Sequence, residues 1–171
     1  MASPGEIFRH ETFYADAQGN LQPKFLVVLA FTPSRDLVFR LLTSRQRDRR
    51  RDPPCFHGDP LPGYFVGILG GILDAESWVD LRPSEDYDGL SFEAERRNGT
   101  LRRIAALPQE MTRLVLDCAA QAPDTTNQQS RAIRDQLAGM PAARWPNFHS
   151  WRGSFAGYRL LSIWTHDTAN M

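Results

Sequence analysis

Two apolar runs that follow each other closely constrain the fold more than any other feature of this chain. Residues 24–31 read Lys-Phe-Leu-Val-Val-Leu-Ala-Phe, and Leu37–Thr43 read Leu-Val-Phe-Arg-Leu-Leu-Thr. Continuous apolar runs of this length are typical of strands that are covered on both faces. The segment between them, Thr-Pro-Ser-Arg-Asp, is a turn signal. The sequence therefore predicts a pair of neighbouring antiparallel strands.

Polar residues stand at the open end of this predicted pair. Lys24 begins the first run and is the only lysine of the chain, whose 20 basic residues are otherwise arginine. Thr43, Ser44 and Arg45 follow one another at the end of the second run. A cation beside two hydroxyl groups and a guanidinium is able to hold a phosphate. These residues are the candidate site.

Further strands are predicted where strand-forming residues lie between turn signals. They cover residues 6–14, 64–69 and 77–81, and a hairpin has its strands at 90–97 and 100–107. Asn98-Gly99 marks the hairpin turn, because both positions of a two-residue turn tolerate positive φ. Trp78 has acidic neighbours that would suit contact with a base, but core packing is the preferred interpretation.

Beyond residue 107 the pattern changes to helical. Residues 108–121 open with Pro108 and Glu110, which favour a first helical turn, and continue with apolar residues at helical spacing. A second helix is predicted to begin after Asp124 or Thr125 and to end at about Ala138. Residues 141–171 hold three of the four tryptophans and form an aromatic-rich tail.

The predicted fold class is α+β, mainly β. The order of elements suggests a small antiparallel β-barrel with two C-terminal helices and the aromatic-rich tail. We expect the barrel at residues 1–107, a helical extension at 108–140 and the tail at 141–171.

Composition limits the location and the cofactors that we expect. The formal net charge is zero, so no global field steers the protein to nucleic acid or to a membrane. No apolar run approaches the roughly 20 residues of a membrane span, and the N-terminus does not resemble a signal peptide. Cys55 and Cys118 are expected to be reduced thiols of a cytoplasmic protein. Two cysteines alone are too few for a zinc site, so we expect no metal.

One segment is strongly basic. Residues 45–51 contain five arginines: Arg45, Arg47, Arg49, Arg50 and Arg51. The segment is too polar for the core and ends in two prolines, so it is expected to be an exposed, mobile loop. With the nearby His57 it is the candidate nucleic-acid contact, acting through phosphates and weakened by salt.

Three short motifs resemble the MazF/PemK (Kid-like) toxin family. They are Pro4-Gly5-Glu6-Ile7, the segment from Lys24 to Leu29, and Leu41-Leu42-Thr43-Ser44. The resemblance covers roughly residues 4–81. It implies an SH3-like barrel and metal-independent cleavage of single-stranded RNA without a cofactor. It also implies an antitoxin that covers the RNA groove, and a homodimer.

The resemblance places the family's catalytic arginine on Lys24 and its catalytic threonine on Thr43. Lysine keeps the charge but loses the planar fork that arginine offers to phosphate. Cleavage through the 2′-OH needs a base, an acid and stabilisation of the phosphoryl charge. Lys24, Thr43, Ser44 and Arg45 supply cations and hydroxyl groups, and His10 or His57 is a candidate base.

Two alternatives stay open from the sequence. One is a non-catalytic SH3-like barrel that binds nucleic acid or a protein partner. The other is an unrelated small α+β adaptor in which the apolar match is accidental.

Overall fold

The computed structural model describes residues 2–141, which form an α+β fold that is mainly β. Seven strands make one antiparallel sheet, and three helices pack against it. The strands are β1 (Glu6–Ala15), β2 (Leu21–Phe31), β3 (Leu37–Thr43), β4 (Cys55–Phe56), β5 (Gly63–Gly67), β6 (Ser77–Asp80) and β7 (Leu101–Ala106). The helices are α1 (Gly89–Asn98), α2 (Gln109–Gln121) and α3 (Asn127–Gly139). The strand order is β4-β5-β6-β3-β2-β1-β7.

The central strand pair is confirmed. Strands β2 and β3 are antiparallel neighbours, with Phe25 opposite Leu42 and Val28 opposite Phe39. Successive side chains of β2 alternate between the two faces of the sheet. Both faces are covered by helices, and for this reason the run carries apolar residues at every position instead of at every second one.

Each face of the sheet has its own hydrophobic cluster. On the α2/α3 face, Val27 and Leu29 of β2 belong to a cluster with Leu116 of α2 and Ile133 of α3. On the opposite face, which we call the α1 face, strand residues surround Phe92, the buried residue of α1. The first cluster joins residues on both sides of position 107, so the helical extension packs directly on the sheet.

The predicted hairpin at 90–107 is wrong in its first half, which is α1. Asp88 caps this helix by accepting a hydrogen bond from the Ser91 amide, and Gly99 ends it with φ of 84°. Asn-Gly suits a hairpin turn, but a glycine at positive φ equally suits the residue after a helix. The second half is a strand as expected, although β7 pairs with β1.

The two C-terminal helices are confirmed. The first begins one residue after Pro108, and the second begins slightly later than predicted because Thr126 is its cap. Thr126 and Gln129 form a reciprocal capping box, which satisfies two amides at the helix start. The aromatic-rich tail was predicted at residues 141–171, of which residues 142–171 lie outside the described residues.

Arg40 of β3 joins the sheet to α3. Its side chain is buried on the α2/α3 face, where its Nη2 donates to Thr125 Oγ1 at 3.0 Å and to Gln129 Oε1 at 3.2 Å. Burial lowers the pKa of Arg40, although nearby carboxylates oppose this effect. A buried guanidinium with these partners fixes how α3 sits on the strands.

The expectation of two reduced thiols is wrong. Cys55 of β4 and Cys118 of α2 form a disulfide, with their Cα atoms 5.9 Å apart. The two residues are 63 positions apart in sequence, and only the packing of α2 over this end of the sheet brings them together.

In residues 2–141, no helix has both the length and the apolar character that crossing a membrane requires.

We predict that Phe92→Ala lowers the free energy of unfolding by about 3–5 kcal/mol, because it leaves a cavity beneath α1. Phe92 is 1% exposed and packs edge-to-face on Phe8. Leu90 of the same helix is 83% exposed, so Leu90→Ala is the matched control and should change stability by no more than about 0.5 kcal/mol. Urea unfolding checks both variants, and equal effects would contradict this packing of α1.

Candidate functional site

Lys24 and Thr43 are brought together by the register of the sheet. Phe25 lies opposite Leu42, so Lys24 and Thr43 occupy the next positions on β2 and β3. Thr43 is in turn opposite Trp78 of β6. Side chains that face each other across strands lie on the same side of the sheet. The cation and the hydroxyl predicted from the sequence therefore share the α1 face at the open end of the strand pair.

These two side chains line a cleft of about 100 Å³, which we call the cationic cleft. Five of its residues are basic and one is acidic, so its formal charge is strongly positive. Its walls are Lys24, Leu41, Thr43, Arg45, Arg47, Arg49, Leu61, Asp80 and Arg82. Three of the five loop arginines predicted to contact nucleic acid lie here. A site with this charge attracts phosphate.

Asp80 at the end of β6 holds the wall of the cleft together. Its Oδ2 accepts from Arg49 Nη2 at 2.9 Å and from Arg82 Nη2 at 2.5 Å, and its Oδ1 accepts from the Arg82 amide. Burial alone would raise the pKa of Asp80, but the hydrogen bonds from Arg82 and the charge of Arg49 outweigh it and hold the pKa below its ordinary value. Asp80 therefore stays ionised.

The arginine loop is less exposed than expected, because Arg49 is buried. Its side chain runs inward past Gly63, where a Cβ atom would lie 2.9 Å from Arg49 Nη1, and donates to the Pro62 carbonyl. The turn that aims it has Arg47 and Asp48 at positive φ, a conformation that non-glycine residues seldom adopt. The burial of Arg49 could not be predicted from the sequence, because a seven-residue segment with five arginines is typical of an exposed loop.

Lys24 has no hydrogen bond or ion pair with residues 2–141, although its ammonium lies 5.5 Å from the ring centre of Tyr14. Burial lowers the pKa of Lys24, and the charges of Arg45 and Arg82 lower it further while Asp80 opposes them. A lysine in this position loses its proton more readily than a free lysine, so it is suited to proton transfer.

Ser44 points away from the cationic cleft. It lines a smaller neighbouring cavity with Ile72, Leu73 and Asp74, which reflects the alternation of side chains along a strand. Among residues 2–141, Thr43 alone borders both spaces. Its Oγ1 accepts a hydrogen bond from the Arg45 amide at 3.2 Å, which leaves the hydroxyl proton free to be donated elsewhere.

His10 lies next to Lys24 in the sheet, but both of its ring nitrogens are engaged. It is opposite Lys24 in the β1–β2 register. Nδ1 accepts from the Thr12 amide at 3.2 Å, and Nε2 lies 2.8 Å from Glu95 Oε2, which also accepts from Tyr87. This pattern assigns the proton to Nε2, and the histidine does not line the cleft.

The remaining predicted contacts lie outside the cleft. The Arg50 guanidinium carbon lies 4.5 Å from the ring centre of Phe56, and Arg51 forms an exposed ion pair with Glu76. His57 donates from Nε2 to the Cys118 carbonyl at 2.9 Å, beside the disulfide. The loop is thus divided between residues that line the cleft and residues that attach it to the sheet.

Asp80 and Arg82 are site residues that the sequence reading did not assign. The sequence did contain a signal for these two residues, because an acid and an arginine two positions apart at the end of a predicted strand lie on the same face of the sheet. Trp78 is 1% exposed, as predicted for a core residue, and its Nε1 donates to the Arg50 carbonyl at 2.7 Å. This bond also fixes the arginine loop to β6.

Comparisons with known proteins give no relatives: no protein-family model, curated protein or solved structure matches this chain.

We predict that Asp80→Asn lowers the free energy of unfolding by about 3–5 kcal/mol, because it leaves Arg49 buried without its counter-ion. Glu76→Gln is the matched control, since it breaks the exposed ion pair with Arg51 and should cost no more than about 1 kcal/mol. Urea titration of both variants provides the measurement.

The same pair predicts a pH dependence. The pKa of Asp80 is lower in the folded protein than the ordinary value of 3.8. Its stabilising contribution is therefore complete well above that value and is lost as the pH falls through the folded-state pKa. The wild type should lose more stability than Asp80→Asn between about pH 5 and pH 2. Parallel losses in the two proteins would show that Asp80 is not the carboxylate responsible.

Proposed function

We propose that the protein is a MazF/PemK-like endoribonuclease that cleaves single-stranded RNA in the cationic cleft. The observation that carries this proposal is the meeting of Lys24 and Thr43, the two positions matched to the family's catalytic pair, in a cleft with four arginines. The sequence predicted that the two strands are neighbours, and the observed register, in which both side chains lie on the α1 face, supports the proposal.

An SH3-like barrel is part of the same proposal. The sheet is antiparallel throughout, and its strands are short apart from β1 and β2. Register shifts interrupt the β1–β2, β1–β7, β2–β3 and β5–β6 pairings. Bulges of this kind bend strands and increase their twist, as the coiling of a sheet into a small barrel requires.

Binding of the RNA backbone follows from charge. Arg45 and Arg47 have guanidinium groups at the cleft that can each contact phosphate oxygens in a forked geometry. Arg49 and Arg82 are different, because Arg49 already donates to Asp80 and Pro62, and Arg82 already donates to Asp80 from Nε and Nη2. They therefore fix the wall of the cleft, and Arg45 and Arg47 make the phosphate contacts.

In the proposed reaction, neutral Lys24 takes the proton of the 2′-OH. The 2′-oxygen attacks phosphorus, the bond to the 5′-oxygen breaks, and a 2′,3′-cyclic phosphate forms while water protonates the leaving oxygen. The hydroxyl of Thr43 donates to a non-bridging oxygen, and the arginines stabilise the charge that builds there. The lowered pKa of Lys24 supports its role as the base.

Three further features belong to the proposal through the family resemblance. The first is an antitoxin whose acidic segment covers the cleft. The second is a homodimer, and the third is a cytoplasmic location.

A second candidate function is RNA binding without cleavage by a non-catalytic barrel. One observation favours it: among residues 2–141, the cleft is lined by no histidine, and its single carboxylate is neutralised by two arginines. Catalysis then depends on Lys24 alone for proton transfer. Variants of this residue separate the two candidates.

We predict that Lys24→Ala and Thr43→Ala each reduce cleavage of a single-stranded RNA by about 100-fold or more. Lys24→Arg keeps the charge but cannot release a proton near neutral pH, so it should retain RNA binding. Loss of cleavage in this variant would assign proton transfer to Lys24, whereas retained cleavage would show that the charge alone acts there, as at the family's matched arginine. Arg134→Ala on α3, an exposed arginine remote from the cleft, is the control. Gel analysis of labelled RNA gives the rates, and circular dichroism checks folding.

Expression of the wild type in bacteria should arrest growth, and expression of Lys24→Ala should not. Purified wild-type protein that binds RNA and leaves it intact would support the non-catalytic alternative. Undiminished cleavage by Lys24→Ala would refute the role of the cleft.

We further predict that Arg47→Ala weakens binding of 2′-O-methyl RNA, which cannot be cleaved through its 2′ position. Loss of one phosphate contact should reduce the slope of log affinity against log salt concentration by about 1. Fluorescence anisotropy at several salt concentrations measures this slope, and Arg134→Ala again serves as the control. An unchanged slope in Arg47→Ala would remove Arg47 from the RNA contacts.

A further inference from the structure

A second cluster of reactive side chains lies away from the cationic cleft, at the contact between β4 and α2. It consists of Cys55, His57 and Cys118. His57 Nε2 lies 3.4 Å from Cys55 Sγ and 3.5 Å from Cys118 Sγ, and the three ligand atoms all lie within 4.8 Å of one another. The cysteines pack with the hydrophobic cluster of the α2/α3 face, whereas the cleft opens on the α1 face.

The disulfide alone does not account for the position of the histidine. Cys55 and His57 are two residues apart and converge on one point, to which α2 brings Cys118 from 61 positions beyond His57. The ring is held there by its hydrogen bond to the Cys118 carbonyl. Two thiolates and an imidazole nitrogen form one of the ligand sets that zinc uses in proteins.

We propose that the reduced protein binds one Zn²⁺ through Cys55 Sγ, His57 Nε2 and Cys118 Sγ. A dithiol first passes two electrons to the Cys55–Cys118 disulfide and is itself oxidised to a disulfide, which leaves two thiols on the protein. Zn²⁺ then binds with release of the two thiol protons. The histidine proton moves from Nε2 to Nδ1, so Nε2 gives up its hydrogen bond to the Cys118 carbonyl and binds the metal instead. Water takes the fourth position, because Cys55 and His57 are only half-buried.

The proposal has a structural consequence. In the oxidised protein the disulfide ties β4 to α2, and in the reduced protein the metal replaces that tie with coordination bonds at the same residues. The link to α2 is therefore kept in both oxidation states. Because these residues do not line the cationic cleft, the inference stands or falls independently of the proposed endoribonuclease.

The experiment compares full-length protein in two oxidation states. One sample is reduced with a phosphine, freed of reductant without air and titrated with Zn²⁺ against a chromogenic chelator, while the oxidised sample is treated alike without reduction. We expect one equivalent of Zn²⁺ to bind tightly to the reduced protein and none to the oxidised protein. Co²⁺ in place of Zn²⁺ should give the intense thiolate-to-metal absorption that cysteine ligation produces.

Two variants test the ligands, and a third is their control. His57→Ala and Cys118→Ser should weaken Zn²⁺ binding at least about 100-fold, since loss of a ligand exceeds the effect of losing an outer hydrogen-bond partner. His10→Ala is the matched control, because it removes a histidine bound to Glu95 and Tyr87 at another place. Oxidised His57→Ala retains the disulfide, so its circular dichroism shows whether the variant folds.

Absence of Zn²⁺ uptake by the reduced wild type would overturn the proposal. So would equal uptake by reduced and oxidised protein, or by wild type and folded His57→Ala.

Discussion

The buried ion pair between Arg49 and Asp80 is the interaction on which the cationic cleft depends. The loop from Arg45 to Arg51 carries five like charges, which repel one another and would extend the segment into solvent. Asp80 opposes this by accepting from Arg49 inside the protein and from Arg82 at the surface. Such a pair gains little net stability, because both groups lose their hydration, but breaking it leaves a buried charge. Its role is to fix one loop conformation against β6.

The remaining wall of the cleft comes from the register of the sheet. A shift of β3 by one residue would move Thr43 to the opposite face and bring Leu42 to the cleft. The buried apolar residues on both faces prevent this shift, since Val27 and Leu26 belong to separate clusters. The position of the candidate pair is thus a consequence of the same hydrophobic packing that makes the sheet stable. The sequence contained enough to predict it, because both runs were readable as strands.

Other parts of the fold could not be predicted from the sequence, and each of these failures has a physical reason. In α1 the one buried residue is Phe92, so it lacks the apolar stripe that identifies a helix, and Asn98-Gly99 fits two local structures equally well. The Cys55–Cys118 bond joins residues 63 positions apart, and no local pattern predicts such a contact. His10 was a candidate base because of its residue type alone, and its position opposite Lys24 in the sheet is seen only in the structure. Its engagement with Glu95 depends on α1, the helix that the sequence did not predict.

The surroundings of Lys24 explain what a lysine at this position can do that an arginine cannot. All Lys and Arg positions of this chain except Lys24 are arginine, and four of these arginines line the cleft together with Lys24. Arginine remains charged in proteins, so added arginines raise the positive field and cannot themselves transfer a proton. Burial and the charge of Arg45 lower the pKa of Lys24 in that field, so its ammonium loses a proton more readily than that of a free lysine. In the proposed endoribonuclease, lysine in place of the family's arginine would exchange a forked phosphate contact for a group that can titrate, and the guanidinium groups of Arg45 and Arg47 would supply forked contacts instead.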